Sequence, residues 1–253
     1  MVSHQSIFDL TGKVACVTGA SAGIGYHVAS VLVDYGVKVV GVARREDSLY
    51  QISENLGENF SYVAADLLEK GTLYDVCSSV GNIFGSPDIL VNAAGINARE
   101  PASEVTSEGW EITINLNLSS PFFIAQAFSA GMIQKGWGRV VNFASLQSFR
   151  AFKGGIAYGA SKGGVAQMTR AMAEAWSSKG VNVNAIGPGF FKTELTEAVF
   201  QDGEQVSRNA AQTCIGRNGE MNDLDGPILF LCSDASRYVT GQILMVDGGF
   251  TAK

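Results

Sequence analysis

The chain has few of the residues that build metal sites and disulfide frameworks. Its 253 residues include two histidines, His4 and His27, four cysteines and five prolines. No histidine, cysteine and carboxylate cluster has the spacing of a zinc site, so we predict no metal and place both histidines at the surface. The cysteines form no C-x-x-C pair, which favours small core residues in a reducing compartment over disulfides. They are Cys16, Cys77, Cys214 and Cys232.

Positive charge is also scarce, and it is not clustered. Lys and Arg number 18 against 24 Asp and Glu, for a net charge of -6. The sequence therefore offers no basic patch that would bind a phosphate backbone or an anionic membrane surface. We expect no nucleic-acid partner.

The sequence lacks a secretory signal and a fully apolar membrane span. Its N-terminus, MVSHQSIFDLTGK, has no basic segment followed by an apolar stretch. The longest window without charge, 112–134, has the length of a bilayer span, but polar residues such as Asn115, Asn117 and Gln126 interrupt it. We therefore expect a cytoplasmic protein without a membrane partner.

Apolar residues are abundant, at 46% of the chain against 17% charged, which excludes intrinsic disorder. Apolar runs of strand length alternate with longer segments of helical period, the pattern of a parallel sheet with helices on both faces. The predicted strands are 13–18, 38–43, 60–64, 89–92, 139–144, 181–186 and 242–246. No repeat or linker divides the chain. We predict one α/β domain over 1–253, a Rossmann-like doubly wound parallel sheet of about seven strands.

A glycine-rich turn follows the first predicted strand. Residues 18–25 read TGASAGIG, and the apolar residues after them keep helical spacing. Glycines permit a tight turn and a close approach of backbone to a pyrophosphate, which the N-terminus of the next helix would bind. A lone glycine pattern is a weak signal, so an ordinary glycine-rich turn stays open as the alternative.

The same turn also matches the G-x-S-x-G nucleophile elbow of hydrolases, with Ser21 as the nucleophile. That chemistry needs a histidine base, which comes late in the chain in that fold. His4 belongs to the N-terminal tail, and His27 lies two residues into the helix that follows the turn. Neither histidine fits, and we set the hydrolase aside.

Tyr158 and Lys162 open a later helical segment and are separated by four residues, which places them on one helical face. A free phenol has a pKa of about 10, and a nearby ammonium lowers it by favouring the phenolate. Such a pair can exchange a proton with an alcohol or a ketone. Alone, a Y-x-x-x-K match more often marks a solvated helix face.

Further motifs accompany this pair, and together they resemble the short-chain dehydrogenase/reductase family over essentially the whole chain. The matching pieces are TGASAGIG at 18–25, Asp66 after the third strand, VNAAG at 91–95, INLNLSSPF with Asn117, Ser145, YGASK at 158–162, GPGFFKT at 187–193 and TGQILMVDGG at 240–249. Two departures are mild: Ala93 replaces a second Asn, and Ala144 stands where a Ser often precedes the catalytic one.

The resemblance implies a catalytic role for four residues. Tyr158 would be the general acid/base, Ser145 would hydrogen-bond the substrate oxygen, and Lys162 would hold the nicotinamide ribose while lowering the tyrosine pKa. Asn117 would anchor a water that links Lys162 to solvent. The implied cofactor-binding residues are Gly19, Ser21, Gly23, Ile24, Gly25, Arg44, Arg45, Asp66, Leu67, Asn92, Ala93, Gly95, Tyr158, Lys162, Pro188, Gly189, Phe191 and Thr193.

The end of the second strand bears on the choice of nicotinamide cofactor. Enzymes that prefer NAD normally place a carboxylate there, which binds the ribose hydroxyl and repels a 2′-phosphate. Here the strand ends at Ala43 and is followed by Arg44 and Arg45. NADP(H) is therefore preferred, with NAD(H) as the alternative if both arginines point to solvent and Glu46 or Asp47 binds the ribose.

Residues that would face the substrate mix polar and aromatic types. They are Asn97, Arg99, Gln147, Phe149, Phe152, Phe190 and Phe191. NARE at 97–100 and ASLQSF at 144–149 resemble the gluconate 5-dehydrogenase and keto-deoxygluconate dehydrogenase branch, in which Arg99 or Arg150 would pair with a sugar-acid carboxylate. The phenylalanines instead suggest an apolar ketone, as in the tropinone-reductase-like branch. We favour the polar keto-sugar, sugar acid or polyol.

Two expectations concern larger parts of the chain. Residues from about 190 to 216 mix charge with glycine and should form a mobile lid. The family resemblance implies that helical stretches 116–134 and 156–178 pair across subunits in a homotetramer, a dimer of dimers, whereas core packing alone would also explain their small apolar residues.

The leading hypothesis is therefore an NADP(H)-dependent oxidoreductase acting on a secondary alcohol or a ketone. The same fold also permits a catalytically silent dinucleotide-binding sensor, because a fold does not dictate chemistry. An epimerase or a dehydratase with a retained cofactor is a third possibility.

Overall fold

Seven strands form where the sequence predicts them and join one parallel sheet. The computed structural model describes residues 7–69 and 71–253, so the prediction about His4 and the first six residues lies outside the described residues. The strands are β1 (Val14–Thr18), β2 (Lys38–Ala43), β3 (Phe60–Ala64), β4 (Ile89–Asn92), β5 (Gly138–Phe143), β6 (Val181–Pro188) and β7 (Ile243–Val246). Their order across the sheet is β3-β2-β1-β4-β5-β6-β7. The Rossmann-like α/β prediction is confirmed.

Helices alternate with these strands and cover both faces of the sheet. They are α1 (Gly23–Asp34), α2 (Glu46–Leu56), α3 (Thr72–Phe84), α4 (Ser107–Ile114), α5 (Ser120–Lys135), α6 (Ile156–Trp176), α7 (Glu197–Phe200), α8 (Gly203–Gln212) and α9 (Asp225–Cys232). A π-helical segment, Asn115–Ser119, joins α4 to α5. The stretch expected to be a lid thus contains α7 and α8.

The two faces of the sheet carry separate apolar cores, because successive strand side chains point in opposite directions. On β1, Val17 packs in the cluster that includes Leu32 of α1 and Ile228 of α9. Its neighbour Cys16 packs in the other cluster, which includes Met132 of α5. Both residues are at most 1% exposed. Burial on both faces explains why these strands lack polar alternation.

The structure corrects two expectations, that all four cysteines are core residues and that His27 lies at the surface. Cys16, Cys77 and Cys232 are buried, and burial raises the pKa of Cys77 to about 11, but Cys214 is exposed. His27 is not a free surface residue. Its Nε2 lies 2.6 Å from Asp225 Oδ1, so the side chain ties α1 to α9.

The described residues contain neither a candidate metal-binding cluster nor a candidate membrane span. In 7–69 and 71–253, no three His, Cys, Asp or Glu side chains are grouped so that they would hold a metal ion. Within the same ranges, the helices are too short or too polar to cross a bilayer.

Candidate active site

The turn after β1 leaves bare backbone where the sequence predicts a phosphate site. Gly19 has a φ of 72°, and its N–H donates to the Val42 carbonyl at 2.8 Å. A Cβ on Gly19 would lie 2.9 Å from the Ala94 backbone, and one on Gly25 would lie 2.3 Å from the Gly19 carbonyl oxygen. Helix α1 begins at Gly23, so its first N–H groups face this turn. The cradle fits a pyrophosphate bound by backbone.

A cavity of about 480 Å³, which we call the glycine crevice, lies beyond the carboxyl ends of β1 and β2. The strand order reverses between β1 and β4, and open parallel sheets bind ligands at such a point. Most of the predicted cofactor residues line this crevice. They are Gly19, Ser21, Gly23, Ile24, Gly25, Arg44, Arg45, Asp66, Leu67, Ala93, Gly95 and Thr193.

Both arginines after β2 line the glycine crevice and contact acidic partners there. Arg45 Nη1 donates to Glu194 Oε1 at 2.9 Å, and its Nε and Nη2 donate to Ser21 Oγ at 3.2 and 3.1 Å. The hydrogen bond with Glu194 raises the pKa of Arg45. Arg44 Nη1 lies 3.8 Å from Asp66 Oδ2. The two acidic residues that open α2, 46 and 47, lie outside the lining.

The resemblance implies that Asn92 is a cofactor-binding residue, but in the structure it lies beneath the crevice and not in its wall. Its side chain is 3% exposed, and Nδ2 donates to Asn142 Oδ1 at 2.9 Å and to the Pro121 carbonyl at 3.3 Å. Asn92 therefore ties β4 to β5 and to α5. The wall itself is held by Thr18, whose Oγ1 accepts the N–H groups of Ala93 and its neighbour at 3.1 and 3.2 Å.

A second cavity of about 150 Å³, the tyrosine pocket, adjoins the glycine crevice. The two cavities share Ile24, Ala93, Gly95, Thr193 and Leu195. The tyrosine pocket brings together three of the four predicted catalytic residues with predicted substrate residues. The sequence-predicted residues that line it include Asn97, Arg99, Ser145, Gln147, Phe152, Tyr158, Lys162, Pro188, Gly189, Phe190 and Phe191.

Tyr158 stands on the first turn of α6, and Ser145 follows β5 directly. Burial raises the pKa of Tyr158, while the hydroxyl of Ser145 and the positive charge of Arg99 lower it. The turn after Ser145 is tied to α6, because Ser148 Oγ accepts the Ser145 N–H and donates to the Lys162 carbonyl at 2.7 Å. The phenol and the serine hydroxyl are thus presented to one small pocket.

Lys162 is buried, and its Nζ donates to the Phe143 carbonyl at 2.7 Å. Burial lowers the pKa of Lys162 to about 8. Its Nζ lies 5.6 Å from the centre of the Tyr158 ring. The sequence predicted that this ammonium lowers the tyrosine pKa, but in the structure the pKa of Tyr158 is raised, because burial outweighs the lowering by Ser145 and Arg99.

Asn117 lies in the π-helical segment and is 1% exposed. Its Nδ2 donates to the Ile96 carbonyl at 2.9 Å and to Ser161 Oγ at 3.1 Å, while its Oδ1 accepts the Ile96 N–H at 2.9 Å. A Cβ on Gly95 would lie 3.1 Å from Asn117 Oδ1 and 3.8 Å from Lys162 Nζ. Asn117 therefore fixes the loop after β4 beside the lysine.

The polar wall of the tyrosine pocket contains two amide groups with unpaired oxygens. Asn97 Oδ1 and Gln147 Oε1 are buried and have no hydrogen-bond partner among the described residues. The Gln147 amide packs against Gly155, where a Cβ would lie 2.1 Å from Oε1. A buried polar group without a partner is costly, so a ligand hydroxyl that reached either amide would satisfy an unmet hydrogen-bonding group.

Arg99, Phe152 and Phe190 also line the pocket. Arg99 has a φ of 55°, a left-handed conformation that is uncommon for a residue with a side chain. The rings of Phe152, Phe190 and Phe250 lie 5.8–6.2 Å apart.

Two residues that were considered for substrate contact, Phe149 and Arg150, lie outside the lining. Arg150 Nη2 instead donates to the Lys253 carbonyl, and its guanidinium lies 5.7 Å from the Phe250 ring. Of the two arginines considered for a carboxylate, the structure brings only Arg99 to the pocket.

Several residues of the site were not predicted. Glu194 and Leu195 follow the GPGFFKT motif, and nothing in their local pattern marks them for the crevice. Thr196 was detectable, because Thr193 and Thr196 form a reciprocal capping box, a three-residue spacing readable from sequence. The role of Ser148 depends on its contact with Lys162 of α6, which lies 14 residues further along the chain.

Comparisons with known proteins agree with this arrangement. A family model described as enoyl-(acyl carrier protein) reductase matches residues 19–251. Gluconate 5-dehydrogenase of Gluconobacter oxydans (strain 621H) is 38% identical over 253 residues, covering 99% of this chain and 99% of that protein. The 2-dehydro-3-deoxy-D-gluconate 5-dehydrogenase of Escherichia coli (strain K12) is 39% identical over 254 residues, covering 98% of this chain and 99% of that protein.

Among solved structures, a gluconate 5-dehydrogenase from Burkholderia cenocepacia J2315 in complex with NADP and tartrate matches with a TM-score of 0.94. It is 33% identical and covers 99% of this chain and 100% of that chain. Fold, site and similarities together define a NAD(P)-dependent oxidoreductase that acts on CH–OH groups. The chain belongs to the short-chain dehydrogenase/reductase family, and within it resembles the gluconate 5-dehydrogenase and keto-deoxygluconate dehydrogenase branch.

Proposed function

We propose that the protein is an NADP(H)-dependent oxidoreductase that interconverts a secondary alcohol and a ketone on a polar keto-sugar, sugar acid or polyol. The observation that carries this proposal is the pair of buried amide oxygens of Asn97 and Gln147, which have no partner among the described residues and lie in the same pocket as Arg99 and Tyr158. Substrate hydroxyls would satisfy the two amides, and a substrate carboxylate would pair with the guanidinium.

The chain's own residues would hold the cofactor along the two joined cavities. The glycine turn would bind the pyrophosphate, Asp66 and Leu67 would contact the adenine, and Lys162 would hold the nicotinamide ribose. Pro188, Gly189, Phe191 and Thr193 would contact the carboxamide. When bound, the nicotinamide supplies or accepts the hydride.

The proton is handled by the chain. In reduction, Tyr158 would give its phenolic proton to the substrate oxygen while Ser145 hydrogen-bonds that oxygen, and in oxidation the phenolate would take the proton back. The raised pKa of Tyr158 keeps the phenol protonated at neutral pH, which is the state that reduction requires. Lys162 and a water anchored at Asn117 would return the proton from solvent, since Asn117 fixes the loop beside the ammonium.

The positive charge at the end of β2 supports NADP(H) over NAD(H). Arg45 and Ser21 already form a hydrogen-bonded pair in the crevice, and Arg44 lies beside them. A guanidinium with a free N–H matches a 2′-phosphate. Solved relatives with bound NADP, among them the gluconate 5-dehydrogenase from Burkholderia cenocepacia J2315, support the same choice.

The relatives' substrates support the sugar-acid assignment. The relatives are named for gluconate and for 2-dehydro-3-deoxy-D-gluconate, and one of them is in complex with tartrate. All three compounds carry a carboxylate and hydroxyls, which is the chemistry that Arg99, Asn97 and Gln147 suit.

An apolar ketone is the second candidate substrate, and a specific observation favours it. Phe152 and Phe190 line the tyrosine pocket with apolar surface and pack against the buried ring of Phe250. In that case the amides would face solvent that enters the pocket, and turnover would not depend on a carboxylate.

We extend the proposal to the whole chain as one domain. Residues 190–216, which include α7 and α8, would act as a lid, since Glu194, Leu195 and Thr196 line the cavities. Two such chains would pair through α5 and α6, where Phe123 and Ile156 are about half exposed, and the pairs would form a homotetramer.

A substrate panel tests the proposal. We would measure kcat/KM with NADPH and with NADH for a keto-sugar acid, the matched neutral keto-sugar and a bicyclic apolar ketone. The highest value should belong to the keto-sugar acid with NADPH. Preference for the bicyclic ketone would support the second candidate, and dinucleotide binding without any turnover would mark a sensor. Conversion of substrate without net change in NADPH would indicate an epimerase or a dehydratase.

A further inference from the structure

The crevice wall opposite β2 carries a carboxylate that the proposed cofactor preference does not explain. Glu194 belongs to the short turn after Thr193, which is remote in sequence from β2. Its Oε1 accepts from Arg45 Nη1 at 2.9 Å, across 149 residues of chain. The same guanidinium binds Ser21 through Nε and Nη2. Arg45 is therefore held on one side by the glycine turn and on the other by Glu194.

We propose that Glu194 is a specificity-determining residue. From the crevice wall opposite β2, it discriminates between a 2′-phosphate and a 2′-hydroxyl on the cofactor's adenosine ribose. The proposal rests on the proposed use of Arg45 and Ser21 to bind a 2′-phosphate. In this family the ribose is normally read at the end of β2, and here that strand ends in Ala43 without a carboxylate.

The other acidic groups near the crevice are less well placed for this role. Asp66 Oδ1 accepts the Leu68 N–H at 3.0 Å, and its Oδ2 reaches Arg44 only at 3.8 Å. Glu46 opens α2 and lies outside the lining. Glu194 is the acid that contacts Arg45 directly within the described residues, and it lines the crevice itself.

The consequence differs between the two cofactors. A 2′-phosphate must displace the Glu194 carboxylate from Arg45 and then lie near a like charge, which weakens NADP(H) binding. A 2′-hydroxyl can donate to Glu194 while the ion pair stays in place, which preserves NAD(H) binding. Glu194 thus reduces the preference for NADP(H) over NAD(H) that the two arginines create.

Removing the charge of Glu194 should widen the preference for the 2′-phosphate. We would compare Glu194→Gln with Glu197→Gln, a matched loss of charge three residues on at a side chain whose contact is Gln201. Calorimetry with adenosine 2′,5′-bisphosphate and with 5′-AMP measures the affinity without any turnover. Because the Arg45 pair is about half exposed, Glu194→Gln should strengthen bisphosphate binding about fivefold relative to 5′-AMP, and Glu197→Gln should not.

The ratio of kcat/KM for NADPH over NADH should rise by the same factor. An unchanged affinity ratio in Glu194→Gln, or an equal rise in both variants, would overturn the inference. Failure of the proposed cofactor preference gives a different result, namely that the unmodified protein binds 5′-AMP as tightly as the bisphosphate. Circular dichroism of both variants checks that each is folded.

Discussion

The glycine crevice and the tyrosine pocket are built from different materials. The crevice is shaped largely by backbone, with Gly19 and Gly25 packed so closely that a Cβ would collide with other main-chain atoms. The tyrosine pocket is shaped by side chains from separate segments, and two of its amide oxygens have no partner among the described residues. Backbone sites tolerate little variation, whereas side-chain sites change chemistry by substitution. We therefore expect substitutions in the crevice to abolish cofactor binding and substitutions in the pocket to change substrate preference.

Substitution of Gly25 should have the largest effect and should act on the crevice alone. Gly25→Ala places a Cβ 2.3 Å from the Gly19 carbonyl oxygen, so the turn must shift and the phosphate cradle is lost. NADPH binding should fall below detection in a fluorescence titration. Gly81→Ala is the control, since a Cβ there meets nothing within 4 Å. Equal NADPH affinity in both variants would contradict a backbone-built crevice.

Substitution of Gln147 tests the tyrosine pocket. Gln147→Leu removes the amide but keeps a side chain of similar size, so a substrate hydroxyl buried there loses its partner, at a cost of about 1–3 kcal/mol. We expect kcat/KM for a polyhydroxy substrate to fall about tenfold to a hundredfold. Turnover of the bicyclic apolar ketone should hold or rise. A parallel fall for both substrates would show that Gln147 supports the fold and not recognition.

The two arginines near the pocket provide a sharper comparison. Arg99→Gln should raise KM for a keto-sugar acid about tenfold, because a charge-assisted hydrogen bond is lost, and should leave KM for the neutral keto-sugar nearly unchanged. Arg150→Gln should change neither value, since its side chain contacts Lys253 and Phe250 outside the lining. If Arg150→Gln selectively impairs the acid, the pocket assignment is wrong.

The pH profile tests the buried charges of the pocket. Burial lowers the pKa of Lys162 to about 8 and raises that of Tyr158. Below pH 8 the lysine is charged and the phenol protonated, which is the state that reduction needs. Rising pH removes the lysine charge first, so kcat/KM for reduction should decline above a pH of about 8. Lys162→Arg should abolish the decline of kcat/KM above pH 8. A kcat/KM that stays constant across pH 8 in the unmodified protein would contradict the role of the Lys162 charge.

Much of the framework was readable from sequence because its determinants are local. Strands such as β3 and β4 were predicted to the residue, since short apolar runs between turn residues define them. Strand β6 runs two residues past its predicted end, to Pro188, because pairing with β7 extends it. The π-helical segment at Asn115–Ser119 was missed, because the bonds of Asn117 to the loop after β4 depend on tertiary contact.

The site itself was predictable as a set of residues but not as a geometry. The motifs identified Tyr158, Lys162 and Ser145, yet the source of the tyrosine pKa shift depends on distances that spacing cannot supply. Local sequence also gave no sign that His27 would meet Asp225, which lies 198 residues further along the chain. The Arg45 and Glu194 contact was hidden for the same reason.

The most direct test of the account is NADPH oxidation with a keto-sugar acid by the unmodified protein and by Tyr158→Phe, with NADPH affinity measured in parallel. We predict that the unmodified protein turns over and that loss of the phenolic proton donor lowers kcat about a thousandfold while the Kd for NADPH stays the same. Turnover that survives in Tyr158→Phe, or its absence in the unmodified protein with every ketone tried, would contradict the role of the tyrosine pocket.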